Sequence, residues 1–517
     1  MQIQSSWFPL YDRNPHGNSM HPPLTRAESS GYRETSTHSD VLEFIEAVRA
    51  VGGDRLHIAD FGETPEGRTL PLLVLSNGRH FTPAEALGSG LPIVLVQCGI
   101  HAGEVEGKEA ALMLVRDILS DRHGDLLSRL TLLVVPLFNA DGNDRIDAEH
   151  RKLEIAHLRG QIGPPGGVGT RENAAGINLN RDYMRQEGAE MRLMQTRVCQ
   201  PWNPHLVIDC HTTNGSIHRF AMTYDIPHVV DSGRREPIEF MRTRLLPAVQ
   251  AAVKANDGLD SFWYGNFLRD EGGQGLGWIT YPHHPRFGSN YRGLTNRLDL
   301  LLETYSYLPF SERVRATYGF LRETLNYVAA QGEMILDLLG ACSEPPPRIA
   351  VRYRLEAFEN SHAHVLTREP YTLSGAPVEV TVPHVARFLG EHVVKRPLAY
   401  AVPRHIGDHL ARHGLKIAET RGPLYVNADI ATVRGHIAVA GRDILEAQTA
   451  THLDVQVSTH GRWLPQDWRL VYTGQQRGAV AVYLCEAGSD DGLPECGLLD
   501  ELAPGSEFPA WRVHEVL

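Results

Sequence analysis

Apolar residues in roughly the first 340 positions of this chain follow two patterns that alternate along the sequence. Continuous apolar runs bounded by turn residues are typical of strands that are buried on both faces. Apolar residues at helical spacing lie between those runs and predict amphipathic helices. The predicted strands are Thr69–Ser76, Leu91–Ile100, Leu130–Phe138, Leu206–Asp209 and Leu298–Leu302. The predicted helices are Thr37–Val51, Glu104–Leu119, Glu187–Val198, Ser232–Lys254 and Pro309–Leu339.

This alternation predicts an α/β fold with a twisted, mainly parallel sheet flanked by helices. In such a sheet, ligands collect beyond the carboxyl ends of the strands. The residues that follow several of the predicted strands are therefore the first place to look for chemistry.

The pattern changes after a proline-rich segment that ends at Pro347. Shorter segments separated by turn residues follow, and they predict a smaller, mainly β region with one helix near Arg404–His413. The predicted β segments are Ile349–Leu355, Val378–Val382, Leu398–Val402 and Ala479–Leu484. We therefore divide the chain into an N-terminal arm (1–30), an α/β domain (31–342) and an accessory β domain (348–517).

The composition describes a globular protein and excludes several functional classes. A hydrophobic content of 42% with 22% charged residues supplies enough apolar surface for a sizeable core. The net charge of −12 gives no general attraction to nucleic acid or to an anionic membrane. No apolar run reaches the ~18 residues that a bilayer span needs. The six Cys are scattered without a C-x-x-C pair, so we expect them to be reduced.

The first residues of the chain carry no basic start followed by an apolar core, which a secretory signal would need. We expect a cytoplasmic protein, or a periplasmic or secreted one if a leader has been removed.

Two of the predicted strands lead into residues of types that commonly bind metals. The run VLVQC breaks at Gly99 and leads to His101 and Glu104, which form the only H-x-x-E although the chain holds 26 His. The run PHLVIDC leads to His211. Parallel strands that end side by side would bring these three side chains together. Two imidazoles and one carboxylate suit Zn²⁺ with one position left for water. We predict one Zn²⁺ per chain.

A third predicted strand, LDLLL, runs into Glu303. A buried carboxylate beside a metal can act as a general base, because burial raises its pKa toward the useful range. A structural ion pair with an arginine is the other interpretation.

The long loop before His211 carries Arg171 and Arg181, which could bind an oxyanion and a substrate carboxylate. Each arginine alone is more typical of a solvated surface charge. The pair His283-His284 is interpreted as part of a polar loop rather than a metal site.

The order of these residues resembles the zinc metallocarboxypeptidase family over about residues 30–340. The matching motifs are HAGE at 101–104, GINLNR ending at Arg181, the strand-end His211 and LLLE ending at Glu303. The resemblance implies that the first and third motifs supply the zinc ligands His101, Glu104 and His211. It implies that Asn180 and Arg181 bind the terminal carboxylate of a substrate. It also implies that Glu303 activates water and passes the proton to the leaving amine.

Three further positions follow from the resemblance. The arginine that stabilises the oxyanion is assigned to Arg171, with Arg151 as the alternative. The tyrosine on the substrate side is assigned to Tyr281, with Tyr291 as the alternative. One departure concerns Asn178, which stands where many members have an Asp that orients a ligand histidine. An amide adds no charge there, so the metal affinity or the acidity of a bound water is expected to differ.

The resemblance implies a zinc carboxypeptidase that hydrolyses C-terminal peptide bonds. Two alternatives are kept: a zinc deacylase or amidase acting on N-acyl amino acids or small peptides, and an inactive relative that binds peptide or glycan. The expected substrate is a peptide or an N-acyl amino acid with a free carboxylate. The chain contains no G-x-S-x-G, P-loop or H-E-x-x-H signature. The segment AVYLCEAGSDDGL resembles an extension in some large bacterial members, and we expect no chemistry from it.

Overall fold

The computed structural model describes residues 22–269, 275–418, 422–439, 450–499 and 501–517. Most of the predicted N-terminal arm, residues 1–21, lies outside these ranges. The helices are α1 Arg26–Ser29, α2 His38–Gly52, α3 Pro83–Gly88, α4 Glu106–Leu119, α5 Ala140–Asp144, α6 Ala189–Leu193, α7 Gln200–Trp202, α8 Arg235–Phe240, α9 Leu246–Asp257, α10 Gly288–Leu294, α11 Phe310–Ala330, α12 Gly332–Ala341, α13 Arg404–Arg412 and α14 Gly478–Cys485. Short π-helical segments, Met194–Cys199 and Met241–Leu245, join α6 to α7 and α8 to α9.

The strands alternate with these helices and become longer after residue 347. They are β1 Leu56–Glu63, β2 Thr69–Leu75, β3 Ile93–Cys98, β4 Thr131–Val135, β5 Leu206–Thr212, β6 Met222–Asp225, β7 Ser261–Trp263, β8 Asn266–Arg269, β9 Gly275–Ile279, β10 Leu298–Thr304, β11 Arg348–Glu369, β12 Ala376–Lys395, β13 Ala399–Pro403, β14 Ile417–Ala418, β15 Tyr425–Val439, β16 Ala450–Trp463, β17 Trp468–Tyr472 and β18 Trp511–Val516.

The main sheet has eight strands in the order β1-β2-β4-β3-β5-β10-β6-β7. Four of the seven pairings are parallel, and three are antiparallel. The sheet is therefore mainly parallel, as the sequence predicts. Strands β4, β3, β5 and β10 all run in one direction, so their carboxyl ends meet at one edge. Because β3 and β5 are buried along their whole length, most of their residues are apolar on both faces rather than alternating with polar ones.

The helix predicted at Thr37–Val51 is confirmed together with the local interaction that starts it. Helix α2 begins after Thr37, whose hydroxyl accepts from the Asp40 N–H while the Asp40 carboxylate accepts from the Thr37 N–H. This capping box satisfies backbone groups that the first turn would leave unpaired. The long helix predicted at Pro309–Leu339 divides at Gln331 into α11 and α12. Within the described ranges, every helix is too short or too polar to cross a lipid bilayer.

Helix α4 packs directly on β3 and β5 beneath the carboxyl edge of the sheet. Gly107 lies at the closest approach, where an added Cβ would stand 2.5 Å from the Cys210 Cβ on β5. The helix can therefore lie this close to the strand only because position 107 has no side chain.

Two further sheets contain the C-terminal strands. One has the order β11-β12-β9-β8 and the other has the order β14-β17-β13-β18-β15-β16. The first sheet combines strands from both sides of the boundary predicted between residues 342 and 348. One hydrophobic cluster also extends along the chain from Ala27 to Ala510. The C-terminal part is β-rich, as predicted, and it shares a core with the α/β part.

The prediction of a β segment at Ala479–Leu484 was wrong, because these residues form helix α14. All eight residues of α14 are buried, so the helix has no polar face. A short apolar run without a polar face has neither the helical nor the strand period, and the sequence alone does not separate the two. Two of the other predicted β segments lie within β11 and β12, and Leu398–Val402 matches β13 except at its first residue.

Candidate metal centre and active site

The three predicted metal ligands are brought to one edge of the main sheet by β3 and β5. Gly99 ends β3 with a φ of 68°, and the tight turn that follows is closed by a 3.0 Å hydrogen bond from the Glu104 N–H to the His101 carbonyl. His211 stands near the end of the neighbouring strand β5. The exposed fractions of His101, Glu104 and His211 are only 4%, 4% and 3%.

Their donor atoms lie within 4.8 Å of one another. The two Glu104 carboxylate oxygens are 3.2 Å from His101 Nδ1 and 3.0 Å from His211 Nδ1. Both imidazoles therefore present Nδ1 to the same point as the carboxylate. This donor set of two nitrogens and one oxygen fits the ligand chemistry of zinc.

The rear nitrogen of each imidazole faces a side-chain oxygen. Asn178 Oδ1 lies 3.1 Å from His101 Nε2, and Asp209 Oδ1 lies 3.3 Å from His211 Nε2. Such contacts fix the ring orientation and leave the Nδ1 lone pair available for a metal. We had not predicted the role of Asp209. The signal was present, because residues two apart on a strand point to the same face and Asp209 precedes His211 by two.

Burial and nearby charges set the protonation of this group. Burial, together with the charge of Arg171, lowers the pKa of His101 to about 3, so that ring is neutral as a metal ligand must be. Burial alone would also lower the pKa of His211. The carboxylates of Asp209 and Glu104 outweigh burial and raise that pKa well above its ordinary value. The surroundings of His211 therefore favour positive charge at this point.

Glu303 lies in β10, directly opposite His211 in the register of β10 with β5. It lines the same cavity as the three candidate ligands. Among the described residues its carboxylate has no hydrogen-bond or ion-pair partner, so the structural ion pair considered above is not formed there. Burial, reinforced by the charge of Glu104, raises the pKa of Glu303 to about 8. Its environment is that of a general base.

The two candidate oxyanion arginines occupy different positions. Arg171 lines the cavity with 36% of its side chain exposed, and its NH1 lies 3.1 Å from His101 Nδ1. Arg151 instead points into the protein: its NH1 lies 3.0 Å from Glu104 Oε1, and its NH2 donates to the carbonyls of Thr212 and Thr213. Both arginines contact Glu104 Oε1, Arg151 at 3.0 Å and Arg171 at 3.3 Å. Arg171 also lines the cavity, whereas Arg151 supports the Glu104 carboxylate from behind.

Asn180 and Arg181 also line the cavity. Asn180 Oδ1 accepts a 2.9 Å hydrogen bond from the Gly288 N–H. The Arg181 guanidinium carbon lies 3.8 Å from the centroid of the Phe287 ring. The Asn180 N–H also donates to Asn178 Oδ1, the atom that contacts His101. One amide group thus connects a candidate metal ligand with the candidate carboxylate-binding pair.

Tyr281 lines the cavity, whereas Tyr291 is buried elsewhere and its hydroxyl lies 2.8 Å from His413 Nδ1. The structure thus brings Tyr281, and not Tyr291, to the other candidate residues. Tyr264 lines the same cavity and we had not predicted it. Burial and the charges of Glu303 and Glu104 raise the pKa of Tyr264. Tyr264 lies in a two-residue connection between β7 and β8, where no sequence pattern marks it.

A second group of residues meets the same distance criterion as the candidate zinc ligands. His283, His284 and Asp490 offer donor atoms within 4.8 Å of one another. In this group His283 Nε2 lies 2.7 Å from Asp490 Oδ2, and the Tyr483 hydroxyl donates to Asp490 Oδ1 at 2.6 Å. Both Asp490 oxygens therefore already have protein partners, which agrees with a polar loop.

The cavity has a volume of about 470 Å³. Its apolar part is formed by Tyr264, Tyr281, Phe287 and Leu301, and its polar rim includes His157, Arg159 and Asn214. A cavity with an apolar wall and a few convergent polar groups is typical of a small-ligand site.

Residues 41–204 match the zinc carboxypeptidase family model, and no curated protein matches. One similar solved structure is a metallo-carboxypeptidase from Burkholderia cenocepacia, with 18% identity, 57% of this chain and 70% of that chain covered, and a TM-score of 0.41. Another is a metallo-carboxypeptidase from Pseudomonas aeruginosa in complex with (2-guanidinoethylmercapto)succinic acid, with 17% identity, coverages of 59% and 70%, and a TM-score of 0.40.

A third is bovine thrombin-activatable fibrinolysis inhibitor in complex with tick carboxypeptidase inhibitor, with 13% identity, coverages of 58% and 99%, and a TM-score of 0.40. The segment matched by the family model includes His101, Glu104 and the Asn180-Arg181 pair, and it ends before His211 and Glu303. Residues 41–204 of the chain are therefore similar to the zinc carboxypeptidase family.

Proposed function

We propose that this protein is a zinc-dependent carboxypeptidase that removes the C-terminal residue of a peptide. The observation that carries the proposal is the meeting of His101, Glu104 and His211 beside Glu303, whose carboxylate has no hydrogen-bond or ion-pair partner among the described residues. A protein that only bound peptide would gain nothing from a half-buried carboxylate to which the described residues offer no partner, because removing such a group from water is costly.

His101, Glu104 and His211 would hold the zinc ion. Zinc, when bound, polarises a carbonyl group and lowers the pKa of water. The Glu303 carboxylate then removes a proton from the attacking water and delivers it to the nitrogen of the leaving amine. Its raised pKa suits both steps, because a base near neutrality can accept a proton and release it again.

Arg171 reaches the cavity with a guanidinium that faces the candidate metal ligands. We assign it to the oxygen that becomes negatively charged when the carbonyl is attacked. A fixed donor aimed at that oxygen stabilises the transition state more than the ground state. Arg151 has no such access, and we assign it to holding Glu104 in place.

Arg181 and Asn180 would bind the terminal carboxylate of the substrate. A guanidinium can donate two parallel hydrogen bonds to a carboxylate, and its stacking on Phe287 limits the positions that Arg181 can adopt. The adjoining wall of Tyr264, Tyr281, Phe287 and Leu301 is apolar and largely aromatic. We infer a preference for an apolar C-terminal side chain, and especially for an aromatic one.

The proposal is tested with matched peptides that differ only in having a free or an amidated C-terminus. We expect rapid release of the terminal residue from the free acid, loss of activity with a chelator, and recovery on adding zinc. Arg181→Gln should raise KM for the acid by about 10²-fold, since an unpaired carboxylate in a closed site costs several kcal/mol. The control, Arg185→Gln, removes an exposed arginine whose partner is Glu187.

Equal rates on acid and amide would contradict the carboxypeptidase proposal and point to an amidase or an endopeptidase. Faster cleavage of N-acyl amino acids than of peptides would point to a deacylase.

A further inference from the structure

The loop 281–289 forms one side of the candidate substrate cavity. Tyr281 stands at its start, and Phe287, Gly288 and Ser289 stand at its end, and all four line the cavity. The loop has no regular structure before α10 begins at Gly288, so it needs support from outside. That support comes from a part of the chain about 200 residues away.

Two adjacent aspartates of the C-terminal region bind the loop between its cavity-lining residues. Asp490 contacts His283, and Asp491 contacts Arg286. The Asp491 carboxylate accepts from the Arg286 backbone N–H at 2.6 Å and from the Arg286 guanidinium at 2.8 and 2.7 Å. These contacts fix both the main chain and the side chain of the loop at one residue. Both guanidinium nitrogens contact Asp491 Oδ1, whereas the backbone N–H contacts Oδ2, and charge-assisted hydrogen bonds of this kind are stronger than neutral ones.

The two aspartates are themselves held firmly. Asp490 accepts from the hydroxyl of Tyr483 on the buried helix α14, and the Asp491 N–H donates to the Ser489 hydroxyl. Asp490 is 7% exposed and Asp491 is fully buried. Because a buried carboxylate is stabilised only while its partners stay in place, movement of the loop would leave a buried charge unpaired. The C-terminal region and the loop are therefore energetically coupled.

The residues that follow Arg286 transmit this support to the carboxylate-binding pair. Phe287 carries the Arg181 guanidinium on its ring, and the Gly288 N–H donates to Asn180 Oδ1. Asp491 thus holds Arg286, which precedes the stacking residue Phe287 by one position and the hydrogen-bonding residue Gly288 by two.

We propose that Asp490 and Asp491 are positioning residues that set the geometry of the substrate-binding wall, so that the C-terminal region is a working part of the active site. This inference rests on the proposed function of the cavity. It assigns to the C-terminal region a role in binding the terminal residue of the substrate and none in the chemical step.

The test compares Asp491→Asn and Asp490→Asn with the wild-type full-length protein. For a peptide with a C-terminal phenylalanine, we expect KM to rise about tenfold or more, because misplacing a binding group by about 1 Å can cost up to about 10²-fold. We expect kcat to change much less, zinc content to stay at one per chain, and the preference for free acid over amide to fall. Binding of 3-phenylpropanoate, measured by calorimetry without turnover, should weaken by a similar factor.

Glu486→Gln is the matched control. Glu486 lies in the same segment and is 1% exposed, but it pairs with Arg512 instead of the loop. It should lower thermal stability and leave KM and probe binding unchanged. Arg286→Gln removes the same ion pair from the loop side, where the side chain is 23% exposed. It replaces the aspartate variants if one of them does not fold.

Unchanged KM and probe binding in Asp491→Asn or Arg286→Gln would overturn the proposal, and so would an equal effect of Glu486→Gln. A second zinc ion that is lost in Asp490→Asn would also overturn it, since His283, His284 and Asp490 would then act through a metal. Probe binding that depends on Asp491 in a protein without peptidase activity would refute the proposed function and leave this inference standing. A wild-type protein that neither cleaves the peptide nor binds the probe would overturn both.

Discussion

Glu303 pairs with His211 at the same level of two parallel strands, β10 and β5. Their relative position is therefore fixed by the hydrogen bonds of the sheet instead of by a loop. A candidate base and a candidate metal ligand leave the sheet side by side at its carboxyl edge, where α/β proteins bind their ligands.

Glu303→Gln should separate metal binding from chemistry. The amide keeps the shape of the side chain but cannot accept a proton, so we expect kcat/KM to fall by about 10²–10⁴-fold. Zinc content, measured by elemental analysis, should stay at one per chain. Glu312→Gln, which changes an exposed carboxylate in the first turn of α11, should have no effect. Full activity in the Glu303 variant would remove this residue from the mechanism.

The pH dependence of kcat/KM should show an ascending limb that belongs to Glu303. The carboxyl group must lose its proton to act as a base, so activity should rise as the pH rises through its pKa. Burial and Glu104 place that pKa at about 8, and a bound dication lowers the pKa of a neighbouring acid. We therefore expect a midpoint below 8 in the zinc enzyme. A rate that is independent of pH over about pH 5–8 would contradict this assignment.

Residues behind the two histidines should tune zinc affinity. His211→Ala should abolish zinc binding, whereas His157→Ala, at the rim of the same cavity, should not. Asp209→Asn should weaken zinc binding by about 10–100-fold, because it removes the charge that faces His211 Nε2. Asn178→Asp should strengthen binding by placing a charge behind His101. Competition with a chelator measures all four affinities, and equal values for Asp209→Asn and the wild type would exclude its supporting role.

Substitution of Arg171 and of Arg151 should change different measured quantities. Arg171→Gln should lower kcat by about 10²–10³-fold with little change in zinc affinity, because it removes a donor to the developing oxyanion. Arg151→Gln should weaken zinc binding, because it removes a hydrogen bond from the buried Glu104 carboxylate. Steady-state kinetics together with zinc titration distinguish them. If Arg151→Gln lowers kcat while zinc stays bound and Arg171→Gln does not, their roles are reversed.

His218 should make the protein less stable in acid. Burial lowers its pKa to about 3, so below about pH 6.5 the unfolded chain binds a proton that the folded protein does not. Stability should therefore fall as the pH falls from about 6.5 toward 3, by up to about 1.4 kcal/mol per pH unit from this residue. Urea unfolding of His218→Asn should show a shallower fall, and the exposed control His157→Asn should match the wild type. An unchanged slope in His218→Asn would show that other groups control acid unfolding.

The central part of the fold could be predicted because it is built from residues close in sequence. Strands β3, β5 and β10 are almost entirely buried and contain apolar runs that mark them in the sequence, and Thr37 carries its own capping signal. The strand order could not be read in the same way, because pairing joins residues far apart along the chain. Helix α14 was misjudged for a related reason: burial on every side removes the polar positions that reveal a helical period.

The candidate site shows the same division. Apolar runs precede His101, Glu104, His211 and Glu303. Because the carboxyl ends of parallel strands meet at one edge of the sheet, the sequence predicts that these residues lie close together. Asp209 could have been found from its spacing to His211. Tyr264 and the Asp490–Asp491 pair could not, because they reach the cavity through tertiary contacts that no local pattern records.

Gly107 sets one distance in the candidate metal centre that the ligands themselves do not determine. Helix α4 follows directly from Glu104, and β5 carries His211, so the gap between their backbones sets how far apart the two donors stand. A single methyl group at this position would push α4 away from β5 and so separate Glu104 from His211. The candidate site thus constrains a residue that never meets substrate, because any side chain at position 107 would overlap the Cys210 Cβ and push the helix off the strand.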